Sequence, residues 1–433
     1  GIEQMVSKDY PAWVEASKVA MDVMKKYMDQ DQATKIDYAS QYASVANYWK
    51  NRQGTIDAVI KNGTIVEKQA LEKKFQTWAL LPENEQIYGG ILKDIQLNYS
   101  QISDRNVERN YSSQLQRNAK YITIAYQLGS LLNTYADQDE AGKVAMKTKV
   151  TDAINRVYDK FNVRLEGEML NSMVNLYQQR VNKEVASPTL LSADAKNLST
   201  LAYASIFANK EAVMSFVNNP DRLKIDADPL LKLANGFVAD QRLNGEKFSK
   251  IDDAFAKNNR LFLDGLRKSQ PNTAFYPDAN STMRLTTGKV TTLPERADRN
   301  YAGIKEKNNY YTDIYGMVAK HKKGDEEFEL PQRFLDLVKN KDFGQYTDKK
   351  GFMPVNFLSD NDITGGNSGS PILDGDGNLL GLAFDGNSEA LSGDIIFDPK
   401  VQRTINVDVR MVLWTIEKYG KAGHLISEMT LVK

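Results

Sequence analysis

The sequence of 433 residues contains no cysteine and only two histidines, His321 and His424. The absence of cysteine excludes disulfides, thiolate nucleophiles and cysteine-ligated zinc. With two histidines, chemistry that needs an imidazole base or ligand has few candidates. No apolar run approaches the roughly 20 residues of a membrane-spanning helix, so we expect no membrane span. We also expect no cofactor and no metal.

An excess of either charge is also lacking, because 56 lysines and arginines are balanced by 56 aspartates and glutamates. The composition therefore gives no indication of binding to nucleic acid or to an anionic membrane surface. The chain begins Gly-Ile-Glu-Gln, without the basic start and hydrophobic stretch of a signal peptide. We expect that the N-terminal part of a longer protein is missing from this sequence.

Apolar residues recur at helical spacing through the first 270 residues, which predicts a helical domain over residues 1–275. The second predicted helix has two apolar stripes, which predicts packing on more than one side. One stripe consists of Tyr38, Tyr42, Val45 and Trp49, and the other of Ile36, Ala39, Ala43 and Ala46.

The pattern changes near residues 272–280, where prolines and asparagines interrupt it, and a β-rich domain over residues 276–433 is predicted beyond. Its predicted strands and terminal helix are at residues 282–292, 355–358, 371–373, 379–384, 404–409 and 411–419. The turn Asp374-Gly375-Asp376-Gly377 indicates a hairpin. The fold class is therefore α+β, and the length of the β-rich part suits one half of a double β-barrel peptidase followed by a terminal helix.

The string TGGNSGSP, residues 364–371, is the motif with the clearest chemistry. Glycines on both sides of Ser368 let the backbone turn sharply and let a substrate carbonyl approach closely. In chymotrypsin-type peptidases the oxyanion is bound by the N–H of the serine and the N–H two residues earlier, here Ser368 and Gly366. A glycine- and serine-rich turn without chemistry is the alternative, but the whole string followed by a hairpin favours a nucleophile.

Several strings resemble the dipeptidyl-peptidase 7 and 11 family of bacterial serine exopeptidases, most closely the dipeptidyl-peptidase 7 type. They are GGNSGSP, LLGLAFDGN (379–387), SGDIIFDP (392–399) and QRTINVDVRMVL (402–413), with YPDANSTMRL (276–285) and ANYWKN (46–51) further upstream. The resemblance implies a chymotrypsin-like double barrel with an inserted helical domain, which caps the active-site cleft and restricts cleavage to dipeptides. It also implies oligopeptide substrates, a homodimer and a periplasmic or cell-surface location.

The resemblance also implies that the catalytic histidine and aspartate precede the helical domain, and therefore lie outside this sequence. His321 and His424 are expected to be surface or structural histidines. Without a base, Ser368 cannot lose its proton readily, so the chain alone is expected to be inactive.

Three further residues are implied by the resemblance to choose the substrate. Asp385 and Asn47 match the residues that hold the substrate's free α-ammonium; the alternatives are a turn-capping aspartate and a buried, hydrogen-bonded asparagine. Gly386 stands where acid-specific members of the family place an arginine. A glycine leaves the S1 pocket uncharged, which predicts a preference for hydrophobic P1 residues, although it can also serve the Asp-Gly-Asn turn.

Two other functions remain open from the residues alone. One is a non-catalytic helical scaffold or peptide-binding protein with a vestigial barrel. The other is a self-contained hydrolase with a serine–lysine pair, for which no lysine stands at a recognisable spacing from Ser368.

Overall fold

The computed structural model describes residues 1–276, 281–293, 310–325 and 327–432, which fall into two compact units. The first unit comprises Gly1–Ile56 and Ile65–Phe275, and the second comprises Asp57–Thr64 and Tyr276–Lys433. Of the string YPDANSTMRL, residues 277–280 lie outside the described residues.

The first unit is all-helical, as the spacing of its apolar residues predicts; the end of α3 and the first residue of α4 belong to the second unit, which includes Asp57–Thr64. Side chains cap several helices: Asn162 accepts the N–H groups of Arg164 and Leu165, and Asp228 accepts those of Leu230 and Leu231. The helices are α1 (Ile2–Gln4), α2 (Tyr10–Met28), α3 (Gln32–Lys61), α4 (Thr64–Ala79), α5 (Pro82–Tyr88), α6 (Ile91–Asn118), α7 (Lys120–Ala136), α8 (Glu140–Val157), α9 (Val163–Arg180), α10 (Pro188–Ser192), α11 (Leu198–Tyr203), α12 (Lys210–Asn218), α13 (Arg222–Ala227) and α14 (Pro229–Ser269), with a π-helical turn at Met5–Asp9.

The prediction that α3 packs on two sides is wrong for most of its second stripe. Tyr38 and Val45 of the first stripe are buried, but Ile36 is 66% exposed and both Ala39 and Ala43 are exposed. Alanine is the strongest helix former, so an alanine stripe satisfies helix propensity without needing a partner surface. One stripe of α3 therefore faces the core and the other faces away from it.

The second unit is built on a five-stranded antiparallel sheet with the order β1-β2-β5-β4-β3. The strands are β1 (Tyr311–Asp313), β2 (Pro354–Ser359), β3 (Pro371–Leu373), β4 (Leu379–Gly386) and β5 (Thr404–Asp408). The accompanying helices are α15 (Ile314–Ala319), α16 (Gln332–Lys339), α17 (Val409–Trp414) and α18 (Gly423–Ser427), with a 3₁₀ helix at Ser388–Ser392 and a π-helical turn at Thr415–Tyr419.

The predicted hairpin, the strands near 355 and 404 and the helix after residue 409 are all present. The strand predicted over residues 282–292 is not, and only an isolated bridge joins Val290 to Ser359. Behind the sheet, Trp414 is fully buried against Phe334 and donates its indole N–H to the carbonyl of Asp342 at 2.9 Å. No helix among the described residues is both long enough and apolar enough to cross a membrane.

Candidate active site

The loop of residues 364–370, here called the Ser368 loop, leads into β3 and exposes Ser368 at its tip. Hydrogen bonds tie its C-terminal side to β4: the Gly369 N–H donates to the Ala383 carbonyl at 2.7 Å, and the Ala383 N–H donates to the Ser370 carbonyl at 2.9 Å. Gly366 and Gly369 have φ values of +107° and +85°, which favour glycine. Gly366 and Gly369 are therefore required by the backbone path, whereas Gly365 does not have a positive φ.

The N–H groups of this loop divide into two sets. Those of Thr364, Asn367, Gly369 and Ser370 all donate within the protein. Among the described residues, the N–H groups of Gly365, Gly366 and Ser368 have no acceptor. Those of Gly366 and Ser368 are the two donors that the motif predicts for an oxyanion, and both residues are exposed.

A bulge in β4 lies beside Ser368. Ala383 pairs with Asn406 and Asp385 with Ile405, so Phe384 is the extra residue. The Ser368 hydroxyl donates to the Phe384 carbonyl at 3.4 Å, a long hydrogen bond. Asp385 therefore directly follows the residue whose carbonyl accepts the hydrogen bond of the Ser368 hydroxyl.

Asp385 is exposed, and its Oδ1 accepts the Gly386 N–H at 2.8 Å. This hydrogen bond is of the turn-capping kind considered as the alternative for this residue. Among the described residues no lysine or arginine pairs with Asp385. The carboxylate is therefore available to a cation that the protein itself does not supply.

Gly386 is confined by its neighbours. A Cβ at this position would lie 2.7 Å from the Cβ of Ala390, in the 3₁₀ helix, and 3.7 Å from the Arg403 carbonyl. Its φ is not in the left-handed region. Close packing, and not an unusual backbone conformation, is therefore what favours glycine here.

Arg403 directly precedes Thr404, the residue of β5 that pairs with Gly386 of β4. Its buried guanidinium donates to the backbone carbonyls of Thr292, Pro399, Lys400 and Gln402 at 2.6–3.4 Å. This side chain is therefore committed to the protein's own backbone.

Asn47 belongs to the first unit, in α3, and its side chain is exposed. Among the described residues its amide has no hydrogen-bond partner. The alternative interpretation, a buried and hydrogen-bonded asparagine, is therefore wrong. The amide is free to contact a ligand.

Neither histidine is a hydrogen-bond partner of Ser368. The His321 imidazole accepts the Leu330 N–H at 2.9 Å through Nδ1, and His424 lies exposed in α18. No lysine is hydrogen-bonded to Ser368 among the described residues either. Among the described residues, the candidate nucleophile Ser368 therefore has no histidine or lysine hydrogen-bonded to it.

Two carboxylates beside the Ser368 loop, those of Asp362 and Asp394, are not predicted by the sequence patterns. Thr364 donates its hydroxyl to Asp394 at 2.7 Å, and Tyr276 donates to Asp362 at 3.2 Å. Burial raises the pKa of Asp362, and the Asp394 carboxylate adds to that rise, whereas Tyr276 and Arg284 oppose it. The residues are far apart in sequence, so no local pattern indicates the pair.

The chain is similar in fold to a solved structure. It is similar to the crystal structure of Porphyromonas endodontalis DPP11 in complex with the dipeptide Arg-Glu, with a TM-score of 0.85 and 24% sequence identity. The match covers 99% of this chain and 61% of that chain.

Curated relatives carry two different names. The chain is 41% identical to a dipeptidyl-peptidase 7 of Capnocytophaga gingivalis and 33% identical to an Asp/Glu-specific dipeptidyl-peptidase of Flavobacterium psychrophilum. Each match covers 100% of this chain and 60% of the relative, so the chain spans about three fifths of their length. The peptidase S46 family matches residues 1–431, and the chain belongs to that family, which confirms the resemblance inferred from its motifs.

Proposed function

We propose that this chain carries the nucleophile and the oxyanion site of a serine dipeptidyl peptidase, which releases dipeptides from the free N-terminus of oligopeptides. The observation that carries the proposal is the exposed Ser368 beside the unengaged N–H groups of Gly366 and Ser368. A tetrahedral intermediate on Ser368 would place its oxyanion within reach of these donors, and each such donor contributes roughly 3–4 kcal/mol to the transition state. The names of the curated relatives support the dipeptide product.

The general base comes, in this proposal, from a part of the whole protein outside these 433 residues. The support is that Ser368 donates to the Phe384 carbonyl and to no imidazole. The second unit would then be one half of a chymotrypsin-like double barrel, with the base on the other half. During acylation the Ser368 proton would pass to that base as the Ser368 Oγ attacks the peptide carbonyl; the peptide C–N bond would then break, the leaving amine would take the proton from the base, and water would release the dipeptide from the acyl-enzyme.

Asp385 is proposed to hold the substrate's α-ammonium. It is an exposed carboxylate without a countercharge among the described residues, and it adjoins the residue whose carbonyl contacts Ser368. Asn47 is proposed as an amide acceptor for the same group, on the family resemblance and its unpartnered side chain. Both contacts would explain a requirement for an unblocked N-terminus.

We propose a hydrophobic P1 preference, because the described residues supply no uncommitted cation at Gly386. The position has no side chain, and Arg403 is committed to four backbone carbonyls. An unpaired P1 carboxylate would be costly to bury in such a pocket, whereas a leucine-sized group gains roughly 1.5–3 kcal/mol. One relative is named Asp/Glu-specific, and the chain is less identical to it, at 33%, than to the dipeptidyl-peptidase 7 relative, at 41%.

The test is labelling of the full-length protein with a fluorophosphonate, followed by mapping of the modified peptide. Labelling of Ser368, loss of the label in Ser368→Ala and dipeptide release from unblocked peptides are expected. A folded full-length protein that is neither labelled nor active would refute the enzyme and favour a non-catalytic scaffold. Labelling of another serine would refute Ser368.

Three properties of the whole protein are proposed on the family resemblance alone. These are restriction of the products to dipeptides by the helical unit, assembly as a homodimer, and a periplasmic or cell-surface location. Product analysis of a longer peptide by mass spectrometry, sedimentation of the full-length protein and cell fractionation test them in turn.

A further inference from the structure

The Ser368 loop has little packing support among the described residues. A Cβ placed on Gly365, Gly366 or Gly369 would meet no atom within 4 Å. Packing against neighbouring atoms therefore does not fix the backbone conformation at these three glycines, although Gly366 has a φ of +107°. Hydrogen bonds must define the path of this loop.

Asn367 supplies hydrogen bonds on both sides of Ser368. Its Oδ1 accepts the Thr364 N–H at 3.0 Å, and its own N–H donates to the Thr364 carbonyl at 3.1 Å. Its carbonyl accepts the Ser370 N–H at 2.9 Å. These bonds occupy the N–H groups of Thr364, Asn367 and Ser370, and they leave those of Gly365, Gly366 and Ser368 unengaged.

Two tethers then fix this hydrogen-bonded loop to the rest of the unit. On the C-terminal side, Gly369 and Ser370 are hydrogen-bonded to Ala383 in β4. On the N-terminal side, the Thr364 hydroxyl donates to Asp394 at 2.7 Å, across 30 residues of sequence. A hydrogen bond to a charged carboxylate is roughly twice as strong as one between neutral groups.

From this arrangement we infer that Asp394 is a positioning residue for the oxyanion site, acting through the hydroxyl of Thr364. The inference rests on the proposed roles of Ser368 and Gly366. Oxyanion donors must lie about 2.7–3.1 Å from the developing negative charge, and a misplacement of about 1 Å can lower turnover about a hundredfold. If the N-terminal tether were removed, Gly366 could move, and its N–H would no longer lie within hydrogen-bond distance of the oxyanion.

Two pairs of variants of the full-length protein separate the hydrogen bond from the bulk of the side chains. Thr364→Val keeps the shape and removes the donor, whereas Thr364→Ser keeps the hydroxyl. Asp394→Ala removes the acceptor, whereas Asp394→Asn keeps an acceptor oxygen. Asp376→Ala is a matched control, because Asp376 is an exposed carboxylate in the hairpin turn and its side chain has no partner among the described residues.

We expect kcat to fall about ten- to a hundredfold in Thr364→Val and Asp394→Ala, with KM within about twofold of the wild-type value. Thr364→Ser and Asp394→Asn should restore most of kcat, and Asp376→Ala should leave it unchanged. The double variant Thr364→Val/Asp394→Ala should be no slower than the slower single variant, because the two substitutions remove the same hydrogen bond.

Affinity for a dipeptidyl boronic acid, which forms a tetrahedral adduct on serine, should fall in parallel with kcat/KM. Affinity for the dipeptide product should not change. Full kcat in a folded Thr364→Val variant, or losses that multiply in the double variant, would overturn the inference while leaving the proposed function intact. Activity that survives in Ser368→Ala would instead refute the proposed function, and this inference with it.

Discussion

Introduction of an arginine at Gly386 tests the proposed P1 preference most directly. In Gly386→Arg the new Cβ would lie 2.7 Å from the Ala390 Cβ, about 1 Å inside an ordinary carbon–carbon contact. Overpacking of this kind typically costs about 1–3 kcal/mol, so the single variant should be destabilised. Ala390→Gly removes the overlapping atom, and the remaining neighbour, the Arg403 carbonyl at 3.7 Å, is an ordinary contact.

The double variant Gly386→Arg/Ala390→Gly should therefore fold, and its specificity should reverse. Filling the pocket removes burial of a leucine P1 side chain, roughly 1.5–3 kcal/mol, which lowers kcat/KM for leucine about 10- to 150-fold. A close charge pair contributes at least about 1.5 kcal/mol, which should raise kcat/KM for aspartate about tenfold. The leucine-to-aspartate ratio should fall at least about a hundredfold.

The assay compares kcat/KM for two dipeptidyl fluorogenic substrates that differ only in leucine or aspartate at P1. Ala390→Gly alone is the background control, and Gly386→Gln/Ala390→Gly fills the pocket without a charge. The glutamine variant should lose activity on leucine without gaining activity on aspartate. A wild-type preference for aspartate, or an unchanged ratio in a folded arginine variant, would show that Gly386 does not select P1.

The other predictions concern the ammonium site, the missing base and an ion pair in the helical unit. Asp385→Ala in the full-length enzyme should cost about 2–5 kcal/mol in kcat/KM for unblocked peptides and little for N-acetylated ones, and equal losses would mean that Asp385 only shapes the turn. The 433-residue chain alone should show no measurable dipeptide release, because loss of the base lowers turnover about 10⁴- to 10⁶-fold; rates near 1 per second would contradict a base outside this chain. Asp252→Ala should lower the free energy of unfolding by about 1–3 kcal/mol at pH 7, because the substitution removes the 2.6 Å ion pair of the buried Arg105. This loss is smaller than for a fully buried pair because Asp252 is half exposed. The Arg105 hydrogen bond lowers the pKa of Asp252 below its usual range, so this contribution should be complete above about pH 4 and lost as the pH falls through the lowered pKa; urea unfolding should show a smaller difference between variant and wild type at pH 3 than at pH 7.

Local sequence patterns predict the helices and strands of this protein better than they predict which helix faces are exposed. The hairpin of β3 and β4 follows from a turn sequence between two apolar runs, and it is present as predicted. In α3, by contrast, the stripe that contains Ile36 resembles a packing surface but is exposed. Apolar spacing shows which residues share a helix face, and the contacts made by that face depend on distant segments.

The strand predicted over residues 282–292 has a related explanation. Its loose alternation is compatible with a strand, but a strand exists only where a neighbour provides hydrogen bonds along its length. Here Val290 alone forms a bridge, to Ser359. The residues at 282–292 do not indicate which segment would pair with them, because the segment that contains Ser359 is distant in sequence.

The sequence by itself predicted the helical and β-rich parts, and it also predicted a candidate nucleophile with two candidate oxyanion donors, because TGGNSGSP is a contiguous string whose backbone requirements are local. Only the tertiary structure decided that the N–H groups of Gly366 and Ser368 are unengaged, that packing against Ala390 confines Gly386, and that Asp394 holds Thr364. Each of these facts joins residues that are distant in sequence or depends on the absence of a neighbour. Such relations are created when the chain folds, because only then do separate segments come within hydrogen-bonding and van der Waals distance.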